Sequence, residues 1–358
     1  MTRSLVCGPA GWVSTEQPCA DTRPWRQAAC QLYETPNLVV PLGEILHWRA
    51  VVDTLGIEST ADPTLLTGGY FYRPHTSAPS ESELDAARHE GAAGGARWLL
   101  CPVVRDEDAG QVLARHDFVD LPWFIEAEFV AADDIDHDLR KLLGGTRFRE
   151  LRRLVRRADE QFEWDVVTGS AIDEDILLAF DRLHRMNLAK YGHTRNHFAL
   201  PILHNLAKSS LGERMCVFLH RRRDGTPVQA VLALHYPESN TVEALVQGID
   251  HAALPGAQNL YAAALYRIYH WGSAHGVNRF NLGRGAQLTK LKLGANRFHV
   301  VSNHIGSVAG TPTREFDAVR AAAQASIGTA VAMLRAAVDR HGVRTVLLAQ
   351  GSVSEARV

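Results

Sequence analysis

Two hydrophobic rhythms alternate along the chain, and their order sketches the fold. Residues 1–40 follow neither; they are read as an irregular lead-in with one strand near 38–40. Helical spacing runs over 42–55, and again from Ser80, which with Glu83 resembles a capping box, to about residue 90. Strands are expected at 68–72, 97–104 and 123–130, with a short helix at 109–115. Further on, 162–167 reads as a strand, 173–190 and 200–209 as helices, and 215–220, 228–235 and 242–249 as a meander turned at Arg223-Asp224-Gly225-Thr226 and at 237–240. An amphipathic helix over 257–275 ends at Gly276, strands follow at 277–282 and 298–308, and an Ala-rich helix covers 314–340. The tail beyond Gly351 is expected to fray.

Between the two halves lies a segment of different character. Leu151, Leu154, Val155 and Ala158 recur at helical spacing among Arg140, Lys141, Arg147, Arg149, Arg152, Arg153, Arg156 and Arg157. Such a helix is either a solvated connection or a cationic face for phosphates. The organisation is therefore α/β (α+β): an N-terminal unit over 1–138, a basic helical linker over 139–160, a second unit over 161–312, and a C-terminal helix and tail over 313–358.

Composition narrows the classes. A chain of 358 residues that is 46% hydrophobic and 22% charged buries a large core. With a net charge of −2 it is no polycation, so any nucleic-acid contact is local and DNA is not an expected partner. The five cysteines are scattered without a C-x-x-C pair, which suits reduced thiols in a cytoplasmic protein. No window approaches ~18 consecutive apolar residues, so no membrane span is expected.

Four segments together resemble the two-domain GNAT-like transferases that include the Fem-type aminoacyltransferases and BioF-like acetyltransferase domains. They are the arginine-rich 149–158; Leu183-His-Arg-Met-Asn-Leu-Ala-Lys-Tyr-Gly192 with His197-Phe198; the meander with Gly248, then Ala274-His275-Gly276; and Asn281-Leu282-Gly283 with Lys290 four residues before Gly294. The resemblance covers roughly residues 145–305. It implies two GNAT-like domains, each a mixed sheet flanked by helices. It also implies transfer of an acyl group from an activated ester or thioester to an amine. Many relatives carry Asp where this chain has Asn281, and a typical R/Q-x-x-G-x-G/A pyrophosphate loop is absent.

Acyl transfer to an amine needs a neutral amine, a stabilised oxyanion and a proton for the leaving group. Lys290, matching the family lysine, is the candidate for the oxyanion or a nearby phosphate, and Glu243 on the third meander strand is the candidate general base, its alternative being an ordinary strand end. Strand alternation places Glu243, Leu245 and Gln247 on one face. Arg284 on its Gly-Arg-Gly turn, Asn281, Gln247, Lys190, His193 and Arg195 are candidate substrate ligands, and Arg152, Arg153, Arg156 and Arg157 candidate tRNA or phosphate contacts. His193 and His197 are four apart but lack a third ligand nearby, so no metal site is expected. The leading expectation is transfer from aminoacyl-tRNA, without other cofactor, to the amine of a small soluble acceptor such as a natural-product or cell-wall precursor. An acyl-CoA-dependent N-acyltransferase is the alternative. A non-catalytic RNA- or partner-binding protein on the same scaffold is the rival from another class.

Overall fold

A computed structural model describes residues 23–35, 38–45, 61–67, 81–105, 113, 116–132, 134–192, 195–254, 260–310, 316–341, 346–349 and 352–355. The lead-in before residue 23, the expected strand at 68–72, and most of the helices expected at 42–55 and 109–115 lie outside them.

The first half begins with α1 (Arg23–Leu32), β1 (Val39–Pro41), α2 (Leu42–Ile45) and β2 (Pro63–Leu66). It continues through α3 (Glu81–Ala93), β3 (Trp98–Arg105) and β4 (Val119–Val130). Helix α1 replaces the irregular segment expected there. Its inward stripe is Trp25, Ala28 and Ala29, and two alanines behind one tryptophan make a faint apolar period.

Helix α4 (Ile135–Gln161) is the basic segment. Asp134 caps it by accepting from the His137 N–H at 2.9 Å, and Gly144, at φ 74°, breaks its regularity. Ile135, Leu139, Leu143, Phe148, Leu151, Val155 and Ala158 are all buried. The segment expected as a linker thus contributes a full apolar face to the core. The remainder is β5 (Glu163–Thr168), α5 (Glu174–Lys190), α6 (Leu200–Lys208), β6 (Met215–Arg221), β7 (Pro227–Tyr236), β8 (Thr241–Ile249) and α7 (Leu260–Ala274). Then come β9 (Arg279–Arg284), α8 (Gln287–Lys292), β10 (Arg297–Ser307), α9 (Asp317–His341), β11 (Val346–Ala349) and β12 (Ser352–Glu355). Helix α8 falls where only a loop was expected. In the tail beyond Gly351 that was expected to fray, β12 pairs antiparallel with β11.

Among the described residues twelve strands form one mixed sheet, in the order β1-β2-β3-β10-β4-β9-β8-β7-β6-β5, with β11 added to β10 and β12 to β11. β10, expected to close the second unit, runs antiparallel between β3 and β4. Period two decides which side chains go to which face. On β6, Met215, Val217 and Leu219 join a core with Trp25, Leu99, Phe180, Leu203 and Val301. Cys216 and Phe218 join another, with Leu151, Phe129, Tyr269, Phe298 and Leu334. In the second core the Phe129 ring lies 4.6 Å from Tyr269 and 5.8 Å from Phe280. Such pairs each add about 0.5–1.5 kcal/mol beyond their buried area.

Among the described residues, one helix is long and apolar enough to cross a membrane: Asp317–Arg340 within α9, with mean hydropathy 1.3. In the fold it runs along β4, with Val319, Ala323, Ile327, Leu334 and Val338 buried.

Candidate active site

Strands β8 and β9 run parallel and pair over three residues: Thr241 with Arg279, Val242 with Phe280, and Glu243 with Asn281. Beyond that point β8 continues to Ile249 with no register partner on β9, and a cavity of about 650 Å³ fills the wedge. A bulge in β8 between Val246 and Ala244 breaks the strict alternation expected for Glu243, Leu245 and Gln247. All three line the cavity nonetheless. Gly248 lets α5 approach: a Cβ there would stand 2.4 Å from the His184 backbone nitrogen.

The turn after β9 is built to bring a lysine back into this wedge. Gly283 and Gly285 take φ of 68° and 69°, and Ala286, at φ 50°, starts α8. One turn into that helix Lys290 is 2% exposed and lines the cavity. Its Nζ donates to the carbonyl of Gly283 at 2.9 Å and to that of Arg284 at 2.6 Å. Burial pulls its pKa down to about 7; the Glu126 carboxylate opposes that fall and the Arg284 guanidinium adds to it. With two N–H groups committed to carbonyls, titration decides whether the remaining position on nitrogen is a lone pair or a third donor.

Two carboxylates share the cavity, Glu243 and Glu126, each 6% exposed. Asn281 lies between their strands. Its Oδ1 accepts from the Gly283 N–H at 2.8 Å and its Nδ2 donates to Glu126 Oε2 at 3.4 Å. The Arg284 guanidinium lies 4.0 Å from the Phe124 ring centroid and 5.1 Å from that of Trp123, and also lines the cavity.

A polar relay closes the side facing α5. Lys190 Nζ donates to His251 Nδ1 at 3.2 Å, His251 Nε2 to Asn187 Oδ1 at 3.3 Å, and Asn187 Nδ2 to the Gln247 carbonyl at 3.4 Å. His184 Nδ1 reaches the same carbonyl at 3.2 Å. Burial, then Lys190, lower the His251 pKa while Asp250 opposes them. The Tyr261 hydroxyl on the α7 wall has its pKa raised by burial.

The cavity therefore gathers Lys290, Glu243, Asn281, Arg284 and Gln247, with Lys190 at its border through His251. Arg195 is held elsewhere: it stacks 5.1 Å from the Tyr33 ring in a second cavity beside α1 and α6. The neighbouring Asn196 is tied to Asp181 at 3.1 Å, which fixes the loop. His193 lies outside the described residues. Among the described residues no cluster of His, Cys, Asp and Glu is arranged to hold a metal. On α4, Arg152 pairs with Asp136, and Arg153 with Glu150 through Nε at 2.8 Å. Arg156 and Arg157 are exposed and make no ion pair among the described residues.

Glu126, His184, Asn187, His251 and Tyr261 are among the cavity residues that sequence reasoning left out of the candidate site. The available signal for Glu126 was the pair Glu126 and Glu128, two residues apart in an otherwise apolar strand.

Residues 145–291 match the acetyltransferase (GNAT) domain family. This stretch resembles a GNAT domain. The match holds α5, the wedge strands β8 and β9, and Lys290, while Glu126 comes from outside it. Solved structures that resemble the chain include L-PGS from Bacillus licheniformis, 12% identical over 62% of this chain and 71% of that one, with a TM-score of 0.48. FemX is 12% identical over 68% and 80%, with a TM-score of 0.47. A tandem GNAT protein from the clavulanic acid biosynthesis pathway is 7% identical over 63% and 69%, with a TM-score of 0.41. No curated protein matches the chain. The matched stretch lies within the single sheet, where β4 pairs with its strand β9 and β10 lies on the far side of β4.

Proposed function

We propose that the protein is an acyltransferase that forms an amide bond, moving an aminoacyl group from aminoacyl-tRNA to the amine of a small acceptor. The observation that carries this reading is the wedge between β8 and β9, where Glu243 and Lys290 line one cavity. The acceptor nitrogen attacks the ester carbonyl, and the new C–N bond forms as an N–H proton passes to Glu243. The one N–H of the Lys290 ammonium not given to a carbonyl donates first to the tetrahedral oxyanion and then to the departing ribose oxygen, and Glu243 afterwards gives its proton to solvent. The C–O bond breaks, and the leaving oxygen takes its proton from Lys290, which solvent recharges. The exposed Arg156 and Arg157 give the tRNA backbone a place on α4.

The second reading is an acyl-CoA thioester as donor, supported by the match of residues 145–291 to a family described by its acetyltransferase activity. The test is turnover with labelled aminoacyl-tRNA and with acyl-CoA over a panel of primary amines. Glu243→Gln and Lys290→Ala are each expected to lower turnover ~10²-fold or more while the circular dichroism spectrum is kept. Undiminished turnover in both variants overturns the assignment of these residues. Turnover with CoA thioesters alone transfers the site to the second reading.

A further inference from the structure

We propose that Tyr261 is a specificity-determining residue whose hydroxyl donates a hydrogen bond to a neutral oxygen on the leaving half of the acyl donor. The inference rests on the acyl-transfer reading and names what kind of donor the cavity selects. Residues of α5 and of α7, on opposite faces of the sheet, both line the wedge. Strand alternation sorts its walls. Val242, Phe280 and Leu282 turn to the core that holds α7. Glu243 and Asn281, each one residue away on the same strands, therefore turn to the face on which α5 packs. The base assigned to the attacking amine is thus on the α5 side. Lys290, the proton source for the leaving group, comes from α8, whose Leu291 packs in the α7 core. The Tyr269 hydroxyl of α7 also donates to the carbonyl of Leu293, just after α8, at 3.4 Å. The leaving half of the donor therefore lies on the α7 side.

Helix α7 carries three tyrosines, and they are treated differently. Tyr266 donates to Asp136 Oδ1 at 2.7 Å, and Tyr269 to the Leu293 carbonyl. Tyr261 lines the cavity, and among the described residues its hydroxyl has no hydrogen-bond partner. Its neighbours on that wall are Leu260, Leu265, Val231 and Ile249, all buried in the α7 core. A hydroxyl in such a wall costs stability unless something accepts from it. Burial raises its pKa, so it stays a protonated donor across the neutral range. An apolar wall admits a hydroxyl or carbonyl oxygen and resists an oxyanion. Two donor classes put such an oxygen there. A ribose ester carries a hydroxyl beside its ester oxygen, and a pantetheine-type thioester carries an amide carbonyl beyond its sulfur.

The first experiment reads binding, independent of turnover. The full chain is heated with adenosine, with 2′,3′-dideoxyadenosine or with pantetheine, and the Tm shift gives each affinity. The parent is expected to bind adenosine about fivefold tighter than the dideoxy form, the worth of one neutral hydrogen bond. Tyr261→Phe keeps the packed ring and removes only the hydroxyl. It is expected to erase that preference and to leave the dideoxy affinity in place. Pantetheine binding weakened about fivefold by Tyr261→Phe, with the two nucleosides bound alike, assigns the oxygen to a thioester donor. Affinities that Tyr261→Phe leaves unchanged for all three probes overturn the proposal, as does the absence of a shift with every probe. For a ribose-ester donor, a second experiment reads turnover of two isosteric amino-acid esters, hydroxyethyl and propyl. The parent is expected to prefer the hydroxyethyl ester in kcat/KM, and Tyr261→Phe to lose that preference with the propyl ester unaffected. Equal loss with both esters marks a structural role and overturns the proposal. Tyr261-dependent binding with no turnover of any acyl donor keeps the ligand's hydrogen bond and removes the acyl-transfer reading. Turnover with binding that ignores the substitution does the reverse.

Discussion

Glu126 and Glu128 lie two residues apart on one face of β4, both buried, and they are treated in opposite ways. Glu128 is saturated: Arg279 donates to it through Nε at 3.0 Å and Nη2 at 2.8 Å, and His299 Nε2 lies 3.1 Å away. Glu126 faces the cavity beside a neutral amide and within the field of Lys290. Burial is common to both, so it does not mark the site. What differs is that Glu126 lines the cavity and Glu128 does not. A saturated pair away from the cavity rigidifies a fold, whereas a carboxylate on the cavity wall is within reach of whatever enters.

The largest effect expected from this contrast is on Glu128. Glu128→Ala leaves Arg279 and His299 buried without their carboxylate, and the loss of stability is expected at about 3–5 kcal/mol. Urea unfolding measures it. A loss below about 1 kcal/mol would mean that the cluster is not saturated and that the two glutamates are alike.

Two histidines extend the comparison to groups buried neutral. Burial lowers the pKa of His220 to about 4, helped by Arg267 and opposed by Gln229 and Asp159. Burial alone lowers that of His304 to about 4. A depressed histidine pKa means that below pH 6.5 the unfolded chain binds protons the folded chain refuses. Stability is therefore full above pH 6.5 and declines as pH falls toward 4, by about 3 kcal/mol per histidine. His220→Phe is expected to unfold at lower pH than the parent. Identical acid midpoints would show that His220 is not held neutral.

Lys290 has the same sign in a more alkaline window. Its folded pKa of about 7 lies below the ordinary 10.5, so between those values the unfolded chain binds the extra proton and stability rises with pH. Between pH 7.5 and 9.5 the gain is about 2.7 kcal/mol, and Lys290→Met is expected to flatten the slope. In turnover the same titration produces a falling limb near pH 7, because the third donor is lost. A limb that persists in Lys290→Arg would assign it to another group.

The sequence exposed the part of the site that is local in the chain. Asn281, Arg284 and Lys290 fall within ten positions, and glycine turns announce that the backbone doubles back there. Glu243 was legible through its strand. Glu126 stands far earlier in the chain, and only sheet pairing sets it opposite Arg284 and within reach of the Asn281 amide. The placement of β10 was hidden for the same reason: an apolar run declares a strand but not its neighbours. Helix α8 was taken for loop because its six residues are too few to show a period. The basic helix was half legible, since its apolar stripe could be read but not the pairing of its arginines.

That pairing supplies the smallest and most selective effect. Arg152 and Arg153 already hold Asp136 and Glu150, and exposed pairs of this kind contribute only about 0–1 kcal/mol to stability. To grip a phosphate they must first release a carboxylate, whereas Arg156 and Arg157 hold no ion pair among the described residues. If α4 meets tRNA, neutralising Arg156 and Arg157 is expected to reduce the log–log salt dependence of tRNA binding by about 0.9 per contact on duplex regions. Neutralising Arg152 and Arg153 is expected to change it by less than half as much, with Tm nearly constant in both double variants. Equal changes from the two pairs would show that the ion pairs open at no cost. An unchanged slope in both would return α4 to a solvated face and leave thioester donors as the better reading.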